Sequence, residues 1–355
     1  MIYTAEEILE KALSGKRIEF EEGVELIHSN DLTRLGIAAG SVTERLHPEP
    51  FRTYAIDRNI NYTNVCTARC RFCAFSTGEG DKDAYVIAEK DLFKKIEETL
   101  EQGGTQILMQ GGMHPGLGMK FYEETLRSIK QNFRIHIHAF SSPEIIHLSK
   151  LEGLPVSTVI SRLRSAGLDS IPGGGAEILV DRCRGKISPK KCTAEEWLSV
   201  MREAHRLGMR TTATMMFGHI ETLEERITHL EKIRNLQDET GGFTAFIPWS
   251  FQPNNTQLSH ISPVGAFEYL KTLAVSRLYL DNIPNVQASW VTQGPKIGQL
   301  ALKFGANDMG STMIEENVVR AAGVSFMMNS DAIEHLIKDV GYQARQRDFY
   351  YRLVN

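Results

Sequence analysis

Cys66, Cys70 and Cys73 stand within eight residues, in the string CTARCRFC. A C-x3-C-x2-C spacing lets one short loop wrap a small iron–sulfur cube, with thiolates on three irons and backbone N–H groups turned toward the sulfides. Three ligands leave the fourth iron open. A structural zinc site normally closes four ligands, and the other two cysteines, Cys183 and Cys192, lie more than a hundred residues away. An odd total of five does not suit a disulfide framework either. Three core cysteines gathered by chance are the remaining alternative, against which the rarity of cysteine and the tight spacing weigh.

A loop of this kind needs rigid elements around it. From about residue 54 onward, helical patterns end at glycine and are followed by short apolar runs, as in βα units on a parallel sheet. Asp91 is placed to cap a helix carrying Leu92, Phe93, Ile96 and Leu100, which stops at Gly103. Thr193 with Glu196, and Thr222 with Glu225, form capping boxes for two more. Strand candidates fall at about residues 60–65, 105–110, 134–139, 168–171, 210–217, 242–248, 285–290 and 306–310. Eight repeats predict an α/β fold, a TIM-type (β/α)8 barrel whose active site lies where the strands end, with a six-stranded partial barrel as the alternative. The cysteines directly follow the first candidate.

Residues 1–52 read as an N-terminal helical layer. Thr4 and Glu7 make a capping box, Gly15 supplies a stop, a second helix surrounds Leu26, and a third runs from Asp31 to about Leu46, ahead of Pro48 and Pro50. The barrel is expected over 53–323, and residues 324–355 as a helical tail packed on it. With 42% hydrophobic residues and a net charge of −4, the 355-residue chain can bury a large core, which excludes a disordered protein. Without a basic block it is not built to bind nucleic-acid phosphates or an anionic membrane. No signal-peptide layout opens it and no apolar stretch approaches the roughly 20 residues that span a bilayer, so a cytoplasmic protein is expected.

Other residues are placed for chemistry. His136 and His138 alternate with Ile135 and Ile137, so a barrel strand turns both histidines inward, and His138, nearer the strand's C-terminal end, is the better candidate for substrate contact or proton acceptance. Hydrogen-bonded interior histidines are the plainer alternative, and an H-x-H metal pair lacks carboxylate partners. Glu177 follows three glycines in PGGGAEIL, Gly218 ends the fifth strand candidate, and Trp249, Gln252, Asn255, Trp290 and Asp308 lie just past strand ends. Cys183 and Cys192 flank a basic stretch that reads as a solvated loop with two free thiols; Arg182 and Arg184 could grip a carboxylate or simply face solvent.

The cysteine triplet in a βα chain resembles the radical S-adenosylmethionine (SAM) superfamily. Phe72, before Cys73, fits the aromatic that the family places near adenine, and QGGMHP, with Gln110, Gly111 and Gly112, resembles its glycine motif for the SAM amino group. The strings DRNINYTNVCTARCRFCAF, RIHIHAFSSPEI, IPGGGAEIL and MMFGHIETLEERI are similar to the branch holding the futalosine-pathway enzymes of menaquinone biosynthesis and the deazaflavin (FO) synthases. IPWSFQPNNTQL and VQASWVTQGPKIGQLALKFGANDMGSTMIEENV look closest to the cyclic dehypoxanthinyl futalosine synthases of that branch. The resemblance implies a [4Fe–4S] cluster on the three cysteines, with SAM on the open iron. It implies Glu177 at the SAM amino group or ribose and Gly218 near adenine. The implied substrate is dehypoxanthine futalosine, and a flavodoxin or ferredoxin would donate the electron. A 5′-deoxyadenosyl radical would take hydrogen from ribose C4′, and the carbon radical would add to the benzoate ring and close a spirocycle. Aminofutalosine synthase and the FO synthase subunit share the early motifs. A non-catalytic Fe–S carrier or structural metal protein would leave the glycine motifs without a purpose.

Overall fold

The computed structural model describes residues 4–354. Three helices open the chain, α1 (Ala5–Leu13), α2 (Phe20–His28) and α3 (Leu32–Leu46). The capping boxes at Thr4, Thr193 and Thr222 all form, each threonine side chain accepting from the third backbone N–H of its helix. The helix expected from Asp91 begins earlier, at Glu89, with Asp91 in its first turn.

Ten strands follow: β1 (Phe51–Ala55), β2 (Asp57–Asn61), β3 (Gln106–Gln110), β4 (His136–Ala139), β5 (Ser170–Ile171), β6 (Arg210–Phe217), β7 (Phe243–Ser250), β8 (Asn285–Val286), β9 (Asp308–Ser311) and β10 (Gln343–Gln346). β2 to β8 form one parallel sheet in chain order, while β1 lies between β9 and β10 in a second, also parallel. The sheets are continuous at both seams. β1 runs into β2 after one residue, a parallel bridge joins Gln287 to Asp308, and the Thr312, Ile314 and Asn59 N–H groups donate to the carbonyls of Ala55, Asp57 and Glu315. The curled parallel sheet is thus the expected (β/α) barrel, with α3 packed against helix Ala266–Tyr279.

The first strand begins nine residues before the apolar run that marked it, at Phe51 rather than near residue 60. Its inner half, DRNIN, is polar at four of five positions, yet every residue is buried. Asp57 and Asn59 line the barrel cavity while Arg58, on the other face, pairs with Glu98 and Glu315, so apolar periodicity could not reveal the strand. Residues 62–65 instead lead from the strand into the cysteine loop.

The chain's end departs most from a simple barrel. After helix Ser330–Asp339, β10 pairs with the free edge of β1, and residues 347–351 turn into the barrel at the end where the strands begin. Arg347 there forms a buried bidentate pair with Asp308, at 2.6 and 2.8 Å, and Thr53 Oγ1 adds a 2.6 Å bond to the same carboxylate. Phe349 stacks on His136, centroids 4.5 Å apart.

Candidate active site

Backbone hydrogen bonds fix the cysteine loop on three sides. Cys66 N–H donates to Thr77, Thr67 N–H to Met113 and Arg71 N–H to Ile187, while Gln257 N–H donates to the Arg71 carbonyl. Arg69 takes a left-handed φ of 46° to make the turn. All five cysteines are free; Cys66 and Cys73 are half-buried and Cys70 buried. Among the described residues, no three His, Cys, Asp or Glu side chains are grouped to hold a single metal ion. Thiolates that bind separate irons of a cube need no such common point. Burial pushes the Cys70 thiol up to about 12, a bias that metal coordination reverses.

Other features of the loop suit a cluster with an amino-acid ligand beside it. Met113 N–H points at Cys66 Sγ, 3.4 Å away. A Cβ on Gly112 would lie 2.1 Å from the Val65 carbonyl oxygen, so glycine is required for the motif to lie against the cysteine loop. Glu144, buried, accepts from Gly111 N–H at 3.1 Å, Tyr62 OH at 2.6 Å and Ser141 Oγ at 2.5 Å, and so fixes the glycine turn. Burial raises its carboxyl to about 7.

The loop connects to the barrel interior through Lys191 and Glu177. Lys191 Nζ lies 5.1 Å from the Phe72 ring centroid and 2.9 Å from Glu177 Oε1. Burial works against its ammonium, but the Cys70 sulfur and the Glu177 carboxylate outweigh it and hold the lysine pKa above its ordinary value. Glu177 has φ +41° and is 5% exposed; its Oε2 is buried without a hydrogen-bond partner among the described residues, the Arg184 guanidinium standing 3.7 Å away. A buried carboxylate oxygen on a cavity wall that lacks a hydrogen bond leaves room for a further donor to meet it. Together with the Gly112 cradle, it makes these residues fit a cluster and SAM.

Glu177 opens onto a cavity of about 300 Å³ inside the barrel. Gln110, His138, Trp249 and Trp290 also line it, as do Arg347 and Phe349 of the C-terminal turn. The buried acceptor oxygens of Asn59 and Gln106, which also line it, lack hydrogen-bond partners among the described residues. Burial holds His136 down to about 4 and His138 well below the ordinary histidine value, so both rings are neutral at neutral pH.

Other sequence candidates lie elsewhere. Gln252 hydrogen-bonds Ser250, Asn255 is exposed and donates to the Ala321 carbonyl, and Asp308 is committed to Arg347; none of the three lines the cavity. Gly218 N–H donates to Glu221 Oε1 at 2.6 Å, and Arg226 holds the same carboxylate, which fixes the turn after β6. The stretch around Cys183 and Cys192 is not a solvated loop, since both thiols are buried. Arg184, 3% exposed, donates to the carbonyls of Ala176 and Cys192, and Arg182 pairs with Glu225. Sequence reasoning missed Lys191, hidden in a basic run, and Glu144. It also missed Ser170, Arg347 and Phe349, for which no local pattern exists.

Comparison with known proteins agrees with this geometry. The pattern of the radical SAM superfamily matches residues 60–233, and that described as the CofH/MqnC C-terminal region matches residues 240–355. The chain is 47% identical to the cyclic dehypoxanthine futalosine synthase of Halalkalibacterium halodurans, across 98% of this chain and 94% of that protein. It is 44% identical to the Streptomyces coelicolor protein of the same name, across 97% and 87%. Identity to the aminodeoxyfutalosine synthase of Thermus thermophilus is 40%, across 98% and 95%. The FeFe-hydrogenase maturase HydG from Carboxydothermus hydrogenoformans shares the fold, with a TM-score of 0.79 at 16% identity, over 98% of this chain and 80% of that one.

Proposed function

The chain belongs to the radical SAM superfamily and, within it, to the branch of the futalosine synthases, and from that premise we propose that it cyclises dehypoxanthine futalosine. Membership implies a [4Fe–4S] cluster and SAM. When bound, they supply a carbon-centred radical able to take hydrogen from an unactivated C–H bond. Cys66, Cys70 and Cys73 hold the cluster. Gln110, Gly111, Gly112 and Glu177 bind the amino-acid end of SAM, where Lys191 pairs with Glu177, and Phe72 and Gly218 border the adenine side. His138 accepts the proton that the benzoate ring loses on regaining aromaticity. Trp249 and Trp290 form apolar walls that keep water from the substrate radical. An outside one-electron carrier such as a flavodoxin or ferredoxin reduces the protein, and no described helix is long and apolar enough to cross a membrane. We place the enzyme in the cytoplasm.

The observation that carries the reading is near-full-length similarity to two cyclic dehypoxanthine futalosine synthases, above that to the aminodeoxyfutalosine synthase. The test is product identity after anaerobic reconstitution and reduction with dehypoxanthine futalosine and SAM. Free 5′-deoxyadenosine and a spirocyclic product are expected. Adenosyl incorporation into product would reassign the chain to the aminofutalosine reaction, and no 5′-deoxyadenosine at all would overturn the proposal.

A further inference from the structure

The two inward histidines are joined by a third group that no sequence pattern marked. Ser170, the first residue of β5 and fully buried, holds its Oγ 2.7 Å from His138 Nδ1 and 2.7 Å from His136 Nε2. A hydroxyl between two ring nitrogens donates to one and accepts from the other, so the three groups form a directed chain. At its inner end, His138 lines the cavity, and its Nε2 has only Thr212 Oγ1, at 3.5 Å, for a partner among the described residues. At its outer end, His136 is half-buried where β4 begins, stacked on Phe349 and edge-on to Tyr350 at 5.5 Å. The carboxylates of Asp169 and Asp348 favour a charge there, opposed by the Lys130 ammonium. Burial disfavours an imidazolium at both rings, and because His138 is buried and His136 only half-buried, the outer ring is the better solvated seat for the charge, so a proton moves outward along the chain.

We propose that Ser170 and His136 form a relay that carries the benzoate-ring proton from His138 out of the cavity, at the barrel end opposite the cysteine loop. The inference rests on the cyclase reading. In the starting tautomers, His138 Nδ1–H donates to Ser170 Oγ and Ser170 O–H donates to His136 Nε2. The ring C–H bond breaks, its electron pair stays in the ring, and an N–H bond forms at His138 Nε2. The Nδ1 proton passes to Ser170 Oγ and the serine proton to His136 Nε2, leaving one positive charge on His136. The unpaired electron stays with the ring in this step, and His136 then releases its proton to solvent. The relay lets the cavity lose a proton without admitting water to a radical.

Ser170→Ala and His136→Gln test it, with 5′-deoxyadenosine and cyclised product measured together in the reconstituted enzyme. A purely structural loss lowers both yields in parallel. The relay requires that hydrogen abstraction outrun ring deprotonation, so the ratio of 5′-deoxyadenosine to cyclised product is expected to rise at least about tenfold in both variants. If Ser170→Ala does not fold, His136→Gln, at the half-buried end, decides alone. An unchanged ratio in either folded variant overturns the relay and leaves the cyclase reading intact. Failure of the unaltered enzyme to cyclise dehypoxanthine futalosine overturns both.

Discussion

The two ends of the barrel are made differently. Where the strands end, the cysteine loop is held by backbone hydrogen bonds, and its chemistry-bearing side chains are close in sequence. Where they begin, the floor is assembled from distant pieces: Thr53, Asp308 and Arg347 share one buried carboxylate, and Thr53 is 255 residues from Asp308. On the proposed reading the first end carries the cluster and SAM, and the second closes the barrel around the proton relay. Substitutions in the loop should therefore remove activity while the barrel stays folded, and substitutions in the floor should lower stability first.

The largest expected effect is at the loop. Cys66→Ala, Cys70→Ala and Cys73→Ala should each abolish turnover and lower bound iron after reconstitution, with the circular dichroism of the metal-free protein kept. A single variant with full activity would remove that cysteine from the ligand set. Loss of the fold in all three would erase the contrast between the ends.

The floor is tested next. Arg347→Met leaves Asp308, which is fully buried, without its cation. Removing one partner of a buried pair costs on the order of 3–5 kcal/mol, so the midpoint of chemical unfolding should fall sharply. Asp308→Leu with Arg347→Met removes both charges and should recover much of that loss. A stable Arg347→Met single variant would show that the tail is not what closes the floor.

This contrast also explains what the sequence could reveal. Cysteine spacing, capping boxes at Thr193 and Thr222, and the helix–glycine–strand beat are local signals, and the barrel and its reactive end follow from them. The first strand is displaced because Asp57, Asn59 and Asn61 turn polar side chains toward the barrel interior and Arg58 pairs with Glu98 and Glu315 on the other face, so apolar periodicity carries no information there. The inward turn at Phe349 was invisible because its partners, His136 and His138, lie some two hundred residues upstream. Lys191 reads as one charge in a solvated basic run, and only its packing beside Phe72 and Glu177 shows that it is half-buried. Gln252 and Asn255 have the right position past a strand end, but their side chains turn to backbone carbonyls outside the cavity, of Ser250 and Ala321.

Glu144 supports the reactive end from below and offers a smaller test. Its folded carboxyl titrates at about 7 against an ordinary 4.5, raised by burial. Between those values the folded protein keeps a proton that the unfolded chain has released. Its contribution to stability is therefore full below about pH 4.5 and declines as pH rises to about 7, by roughly 3 kcal/mol at most. Glu144→Gln cannot titrate, so it should lose less stability than the unaltered protein between pH 5 and 8. Unfolding midpoints measured across that range give the difference directly. Parallel pH profiles would mean that the Tyr62, Ser141 and Gly111 donors keep the carboxylate ionised throughout.

The smallest effect is expected at Phe349, where closure and chemistry meet. Its ring lies 4.5 Å from His136 at 16° and 4.8 Å from His138, and it lines the cavity. Phe349→Leu keeps the site apolar and close to filled, so the stability cost should stay near 1 kcal/mol. What it removes is the flat face that holds the histidine rings in register beneath the substrate. The KM for dehypoxanthine futalosine should rise a few-fold, while the KM for SAM, bound at the opposite end, should not change. Equal shifts in both constants would mean that the two ends are mechanically coupled, and that the floor helps to shape the SAM site across the length of the barrel.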